Sequence, residues 1–236
     1  MTKESKSKFE RPDGRETDEM RPMTAKVGII PNADGSAMFS FGDTIAYAAV
    51  YGPKVMHPQH SQNPEKGTLR CNYSMLSFSV TERARPGPNR RSTEISKIME
   101  WALEPVLIID EFKSMVVDVH VNIIQANAST RCAAINAAAM ALAHAGIPMK
   151  DLVSSVSIGK LDKQLVVDVS KKEEDWEEGE GATDIPITMT HEGELTHIQL
   201  DGKISGEQLR EALEMARKAT QEIYEVQKKA LKESIG

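Results

Sequence analysis

QANASTRCAAINAAAMALAHAG, residues 125–146, is the stretch on which the fold turns. Gln125 closes a strand-like run, a short turn follows, and a helix starts at Ser129 and runs to about Ala145, with Gly146 at its end. The helix is rich in alanine (Ala133, Ala134, Ala137, Ala138, Ala139, Ala141, Ala143), and such small residues let neighbours approach closely. The first backbone N–H groups of a helix have no internal partners, and the helix dipole favours an anion in front of them. Ser129 and Thr130 add donors there, and Arg131 adds a fork that matches phosphate oxygens. On spacing alone, the more ordinary reading is plain N-capping by Ser129 with Arg131 in solvent.

Working outward, MVVDVHVNIIQ (115–125) is a strand with Val117, Val119, Val121 and Ile123 on one face. A helix precedes it. Ile95, Ile98, Met99 and Ala102 form an apolar stripe, Ser92 suits the N-cap and Pro105 marks the stop. Further back lie strand-like runs at 26–30, 36–41, 43–52 and 69–78. Beyond the alanine helix, 152–160 and 164–169 form a hairpin, and 184–190 and 196–202 a second pair. The last helix opens with the capping box Ser205-Gly-Glu-Gln208, and Leu209, Ala212, Leu213, Ala216, Ile223, Val226 and Ala230 share one face. The expected architecture is α+β, with residues 1–20 a mobile segment and 21–236 one compact domain.

A chain of 236 residues buries a sizeable core without staples. Cys71 and Cys132 lie far apart without metal-ligand spacing and read as free thiols of a reducing compartment. There is no apolar run of membrane-spanning length and no signal-peptide pattern at the N-terminus, so the expectation is a cytoplasmic protein with no membrane partner. The net charge of −6 does not advertise a nucleic-acid binder, yet charge is segregated along the chain. RARPGPNRR (83–91) holds four arginines and no acid, and EEDWEEGE (173–180) holds six acids, so local fields differ from the sum. Arg90 and Arg91 could hold RNA phosphates or lie in a solvated basic loop. Glu173, Glu174 and Asp175, with Asp184 beyond them, could serve as general acid and metal ligand or form a solvated loop. In HPQH (57–60), Pro58 argues against two histidines sharing a helical face, so a loop lining a passage suits it better than a metal site.

Several blocks together resemble the ribonuclease PH family: RPDGRETDEMRP (11–22), GSAMFSFGDTIAYAAVYGPKVMHPQH (35–60), RRSTEISKIMEWALEP (90–105), 125–152 and TDIPITM (183–189). KVMHPQH and RRSTEIS are more similar to the catalytic ring subunit of the archaeal exosome than to bacterial ribonuclease PH. The resemblance covers roughly residues 10–232. It implies a ribosomal protein S5 domain 2-like fold and 3′→5′ phosphorolysis, in which inorganic phosphate as co-substrate releases nucleoside diphosphates and the reverse reaction adds tails. It implies RNA as substrate, a hexameric ring of three heterodimers with a non-catalytic homologue, and RNA-binding cap subunits. Two other members of the resemblance stay open, a stand-alone ribonuclease PH trimming tRNA ends and an inert ring subunit that binds RNA.

Carried over residue by residue, the resemblance assigns Asn127, Ala128, Ser129, Thr130 and Arg131 to the attacking phosphate, with Ser129 where the family often has glycine. Arg90 and Arg91 would bind RNA phosphates, Lys54, His57 and His60 would line the ring's pore, and Arg70 is a further RNA contact. Asp175 and Asp184 match the catalytic carboxylates and a magnesium site. The family places them six residues apart, and here they are nine apart. Glu178, six before Asp184, is the alternative first carboxylate.

Overall fold

The computed structural model of the chain describes residues 11–176 and 181–234. β1 (Met23–Val27), β2 (Gly35–Phe41) and β3 (Thr44–Val55) form an antiparallel meander. β4 (Thr68–Met75), α1 (Arg90–Leu103) and β5 (Met115–Gln125) follow. β4 and β5 run parallel, a pairing that needs a crossover, and α1 lies in that connection. The strand order is β1-β2-β3-β5-β4. α2 (Thr130–His144) then leads to β6 (Val153–Leu161), β7 (Gln164–Val167), the short helix α3 (Lys171–Glu174), β8 (Ala182–Thr190) and β9 (Leu195–Ile198). These four strands make an antiparallel sheet ordered β7-β6-β8-β9, and α4 (Gly206–Glu233) closes the chain. The mixed sheets and helices are those expected.

α2 packs against β2 and β3 of the first sheet and β6 of the second. Every residue from Cys132 to Leu142 is buried, which is why the helix is apolar all round rather than striped. The alanines serve the close approach expected of them. At Gly35 on β2, a Cβ would collide with the carbonyl oxygen of Ala141. One continuous core joins both sheets through this helix, with Phe39, Ile123, Met140, Leu142, Ile158 and Ile185 inside it. Asn136, fully buried in the middle of α2, donates to the Ser155 carbonyl at 2.9 Å and accepts the Ser155 N–H at 2.7 Å, so the second sheet is bonded to the helix as well as packed on it.

Three expectations are revised. The stretch 1–20 is not a mobile tail from residue 11 onward. Arg11 is 4% exposed and grips the carboxylate of Glu173 at 2.6 and 3.0 Å, a bidentate geometry that fixes the chain there. The N-cap of α1 is Asn89, not Ser92. Asn89 accepts the Ser92 N–H at 2.8 Å and Ser92 returns a bond to the Asn89 N–H at 2.9 Å, so Arg90 and Arg91 belong to the helix's first turn. The acidic stretch is not one solvated loop. Ser170 caps α3, and Glu173 is completely buried against Arg11. Glu178 lies outside the described residues.

Candidate active site

The turn between β5 and α2 has an unusual backbone. Ala128 and Ser129 both have positive φ, 55° and 51°, a left-handed conformation that costs an L side chain roughly 1–2 kcal/mol per residue. The Ser129 hydroxyl does not cap the helix. It donates to the Val169 carbonyl at 2.9 Å and lies 3.3 Å from Asp168 Oδ1. The first intrahelical bond is the Ala133 N–H to Ser129 O, at 3.0 Å. The amides of Thr130, Arg131 and Cys132 are left without intrahelical partners, as at any helix start. The left-handed turn also explains why glycine suits position 129, and the two anchoring bonds explain how serine is accommodated there.

The start of α2, the first turn of α1 and the start of β8 meet around a cleft of about 590 Å³. Arg90 and Arg91 enter from α1, Arg131 from α2 and Asp184 from β8. Ala128 and Thr130 face an adjoining hollow of about 440 Å³, which shares Arg91 and Glu174 with the cleft. Arg131 donates through Nη1 to Gln199 Oε1, and the Gln199 amide donates to Glu94 on α1 at 3.2 Å. The Arg131 Nε is buried without a hydrogen-bond partner among the described residues, a desolvated donor of the kind an anion satisfies. On β9, burial and then the Arg131 charge hold the pKa of His197 below the ordinary imidazole value.

Asp184 accepts a hydrogen bond from the Ser157 hydroxyl. Its backbone exchanges two bonds with Asp201, at 3.0 and 2.9 Å, which holds the carboxyl at the cleft wall. Burial raises its pKa above the ordinary carboxylate value. The Ser157 bond and the Arg131 charge oppose that, and Glu174 and Asp201 reinforce it. The result is a carboxyl that keeps its proton to higher pH than a free one, which suits a general acid.

The other expected residues divide. Asn127 belongs to the scaffold, with its carbonyl accepting from Arg21 at 2.6 Å and its side chain accepting the Lys171 N–H at 3.1 Å. Asp175 does not join Asp184. Its side chain is 62% exposed and paired with Lys171 at 2.7 Å, while its neighbour Glu174 lines the cleft. The expected metal pair Asp175 and Asp184 is therefore not assembled, and among the described residues no group of three or more His, Cys, Asp or Glu could hold a metal ion. Lys54 and Arg70 both bind Asp118, at 2.7 and 2.6 Å, and His57 and His60 are exposed in the following loop. Asp118 lies seven residues before Gln125 on β5, about 23 Å away at ~3.3 Å per residue, so this group is remote from the cleft. Gln199, Glu94, Glu174 and Asp201 enter the cleft without a motif of their own. Only the acidic run marked one of them.

The sequence profile of the 3′ exoribonuclease family, domain 1, matches residues 19–148, and that of the family's domain 2 matches 151–219. The chain is 45% identical over 222 residues to the exosome complex component Rrp41 of Pyrococcus furiosus, covering 94% of this chain and 87% of that protein. It is 44% identical over 220 residues to the exosome complex component Rrp41 of Methanosarcina mazei, covering 93% of this chain but spanning 44% of that longer protein. Its fold is similar to that of rice (Oryza sativa) Rrp46, with a TM-score of 0.82 at 25% identity over 94% of this chain and all of the other. The Archaeoglobus fulgidus exosome with RNA bound to the active site superposes with a TM-score of 0.80 at 21% identity over 92% of each chain, a likeness of fold.

Proposed function

The chain belongs to the 3′ exoribonuclease (RNase PH) family, and from that premise we propose that it is the catalytic subunit of an archaeal exosome ring, shortening RNA from the 3′ end by phosphorolysis. The observation that carries this reading is the joining of Arg131, Arg90, Arg91 and Asp184, a carboxyl whose burial raises its pKa, in one cleft at a helix N-terminus. Phosphate and an RNA phosphodiester repel, so bringing them together needs convergent cations. Arg131 and the first amides of α2 would take the phosphate, and Arg90 and Arg91 the RNA backbone. A phosphate oxygen attacks the terminal phosphodiester phosphorus, and the bond to the preceding nucleotide's 3′ oxygen breaks. Asp184 gives that oxygen its proton. The products are a nucleoside diphosphate and an RNA one nucleotide shorter with a free 3′ hydroxyl. In reverse, the Asp184 carboxylate takes the proton from the 3′ hydroxyl and the chain is extended.

In this reading Glu174, rather than Asp175, stands beside Asp184 as its partner carboxylate among those lining the cleft, its charge adding to burial in raising the Asp184 pKa. Lys54, Arg70, His57 and His60 would contact RNA well before it reaches the cleft, lining the pore of a hexameric ring built with a non-catalytic homologue and topped by cap subunits. The proposed compartment is the cytoplasm. No described helix is long and apolar enough to cross a membrane. The test is a labelled RNA incubated with and without phosphate, and with and without the co-expressed partner. Phosphate-dependent release of nucleoside diphosphate supports the reading. Nucleoside monophosphate formed equally well without phosphate would sink it.

A further inference from the structure

We propose that Thr44, backed by Arg21 and Asp168, is a positioning residue for inorganic phosphate, holding the 127–129 turn in its binding geometry before phosphate arrives. This rests on the phosphorolytic reading above. Thr44 opens β3 and is fully buried. Its hydroxyl accepts the Asn127 N–H at 2.9 Å and donates to the Ala128 carbonyl at 2.8 Å, so one oxygen ties two successive residues of the turn. Arg21 donates to the Asn127 carbonyl at 2.6 Å and grips the Asp168 carboxylate at 2.7 and 2.6 Å. Asp168, itself 0% exposed, receives the Ser129 hydroxyl at 3.3 Å. Asn127, Ala128 and Ser129 are thus each bonded by groups from other parts of the chain.

The physical need for such a clamp lies in the backbone. Ala128 and Ser129 occupy a conformation that L side chains resist, and a turn of that kind relaxes unless its surroundings hold it. Phosphate is small and makes few contacts, so an ordering cost charged to its binding would fall mostly on its affinity. Thr44 does not line the cleft, whereas Arg90 and Arg91 reach it from a different helix. Loss of the clamp therefore weakens phosphate binding and spares RNA binding.

Thr44→Val keeps the side-chain shape and removes both bonds, and Thr44→Ser keeps the hydroxyl. Each variant, assembled with its co-expressed ring partner, is assayed for phosphorolysis of labelled RNA across a phosphate titration, with RNA affinity measured by fluorescence anisotropy. For Thr44→Val the KM for phosphate should rise about tenfold or more, with kcat at saturating phosphate and RNA affinity within about threefold of wild type. Thr44→Ser should stay within about twofold of wild type. An unchanged phosphate KM in Thr44→Val, equal damage in Thr44→Ser, or a parallel loss of RNA affinity overturns the proposal. Should Thr44→Val not fold, Thr44→Ala, which also removes both hydroxyl bonds, carries the same prediction. A wild type that does not depend on phosphate sinks the phosphorolytic reading and this one with it. A wild type that saturates with phosphate beside an identical Thr44→Val sinks this one alone.

Discussion

At the residue scale, the proposed mechanism divides the chemistry between Asp184, for the proton, and Arg131, for the anion. The Asp184 pKa is raised chiefly by burial, so the proposed phosphorolysis, which would use the protonated form, should slow as pH rises through that pKa. Tail addition, which uses the carboxylate, should move the other way. Asp184→Asn should abolish both directions and keep RNA binding, and near-wild-type phosphorolysis in that variant would refute the assignment. Its stability carries a sign as well. A carboxyl whose folded pKa lies above its unfolded one adds stability at low pH, and that contribution is lost as pH rises through the folded value. Asp184→Asn should therefore melt no lower than wild type at neutral pH, with the difference closing below about pH 4. Arg131→Ala should act on phosphate instead, raising its KM by about tenfold or more while RNA affinity holds. A fall in RNA affinity alone, unchanged by saturating phosphate, would place Arg131 elsewhere. The resemblance singles out both residues; on position alone Arg131 reads more simply as a solvent-facing residue after an N-cap, and Asp184 as a carboxylate opening a strand. Glu174 was not singled out, because neighbouring acids in an acidic run look alike until the backbone turns one of them inward.

At the element scale, the strand–turn–helix unit shows where pattern reading works. β5 spans Met115–Gln125, the bounds its alternation predicts, with Val117, Val119, Val121 and Ile123 on one buried face and Val116 and Asp118 buried on the other. α4 starts where its capping box places it. α1 starts before its expected cap, because Asn89 and Ser92 are both good caps and only the reciprocal bonds between them decide which is outermost. The same limit applies at Ser129, whose residue type says N-cap while its left-handed backbone and its bonds to Val169 and Asp168 say anchor. This yields a stability prediction for the element. Ser129→Gly should be nearly neutral, since roughly 1 kcal/mol of relieved strain offsets about 1 kcal/mol of lost hydrogen bonding. Ser129→Val, β-branched at positive φ and unable to make either bond, should lose about 2 kcal/mol or more in urea unfolding.

At the scale of the whole molecule, residues 11–21 act as a strap across both halves. Arg11 holds Glu173 of α3, and Arg15 and Arg21 hold Asp168 after β7, while Arg21 also reaches the turn that opens α2. Arg11 and Glu173 side chains are 1% and 0% exposed, so removing one partner leaves a buried charge uncompensated. Arg11→Met should destabilise the fold by about 3 kcal/mol or more, read by denaturant unfolding. A loss below roughly 1 kcal/mol would show the pair to be solvated in solution. Arg15 lies close enough to both acids to soften the loss if it moves in, at 3.5 Å from Glu173 and 3.4 Å from Asp168. The family and the roles proposed for Arg131 and Asp184 came from the resemblance of whole blocks, while the sequence by itself determined the order of the main strands and helices and their apolar faces. These are local patterns, set by periods of two and 3.6 and by the chemistry of chain ends. Only the tertiary structure decided that Glu174 and not Asp175 faces the cleft, that Lys54 on β3 and Arg70 on β4 converge on Asp118, far along β5 from the cleft, and that Thr44 and Arg21 hold the turn. Those bonds join residues 83 and 106 positions apart, and no spacing rule links them until burial brings the partners together in a place where each polar group must find another.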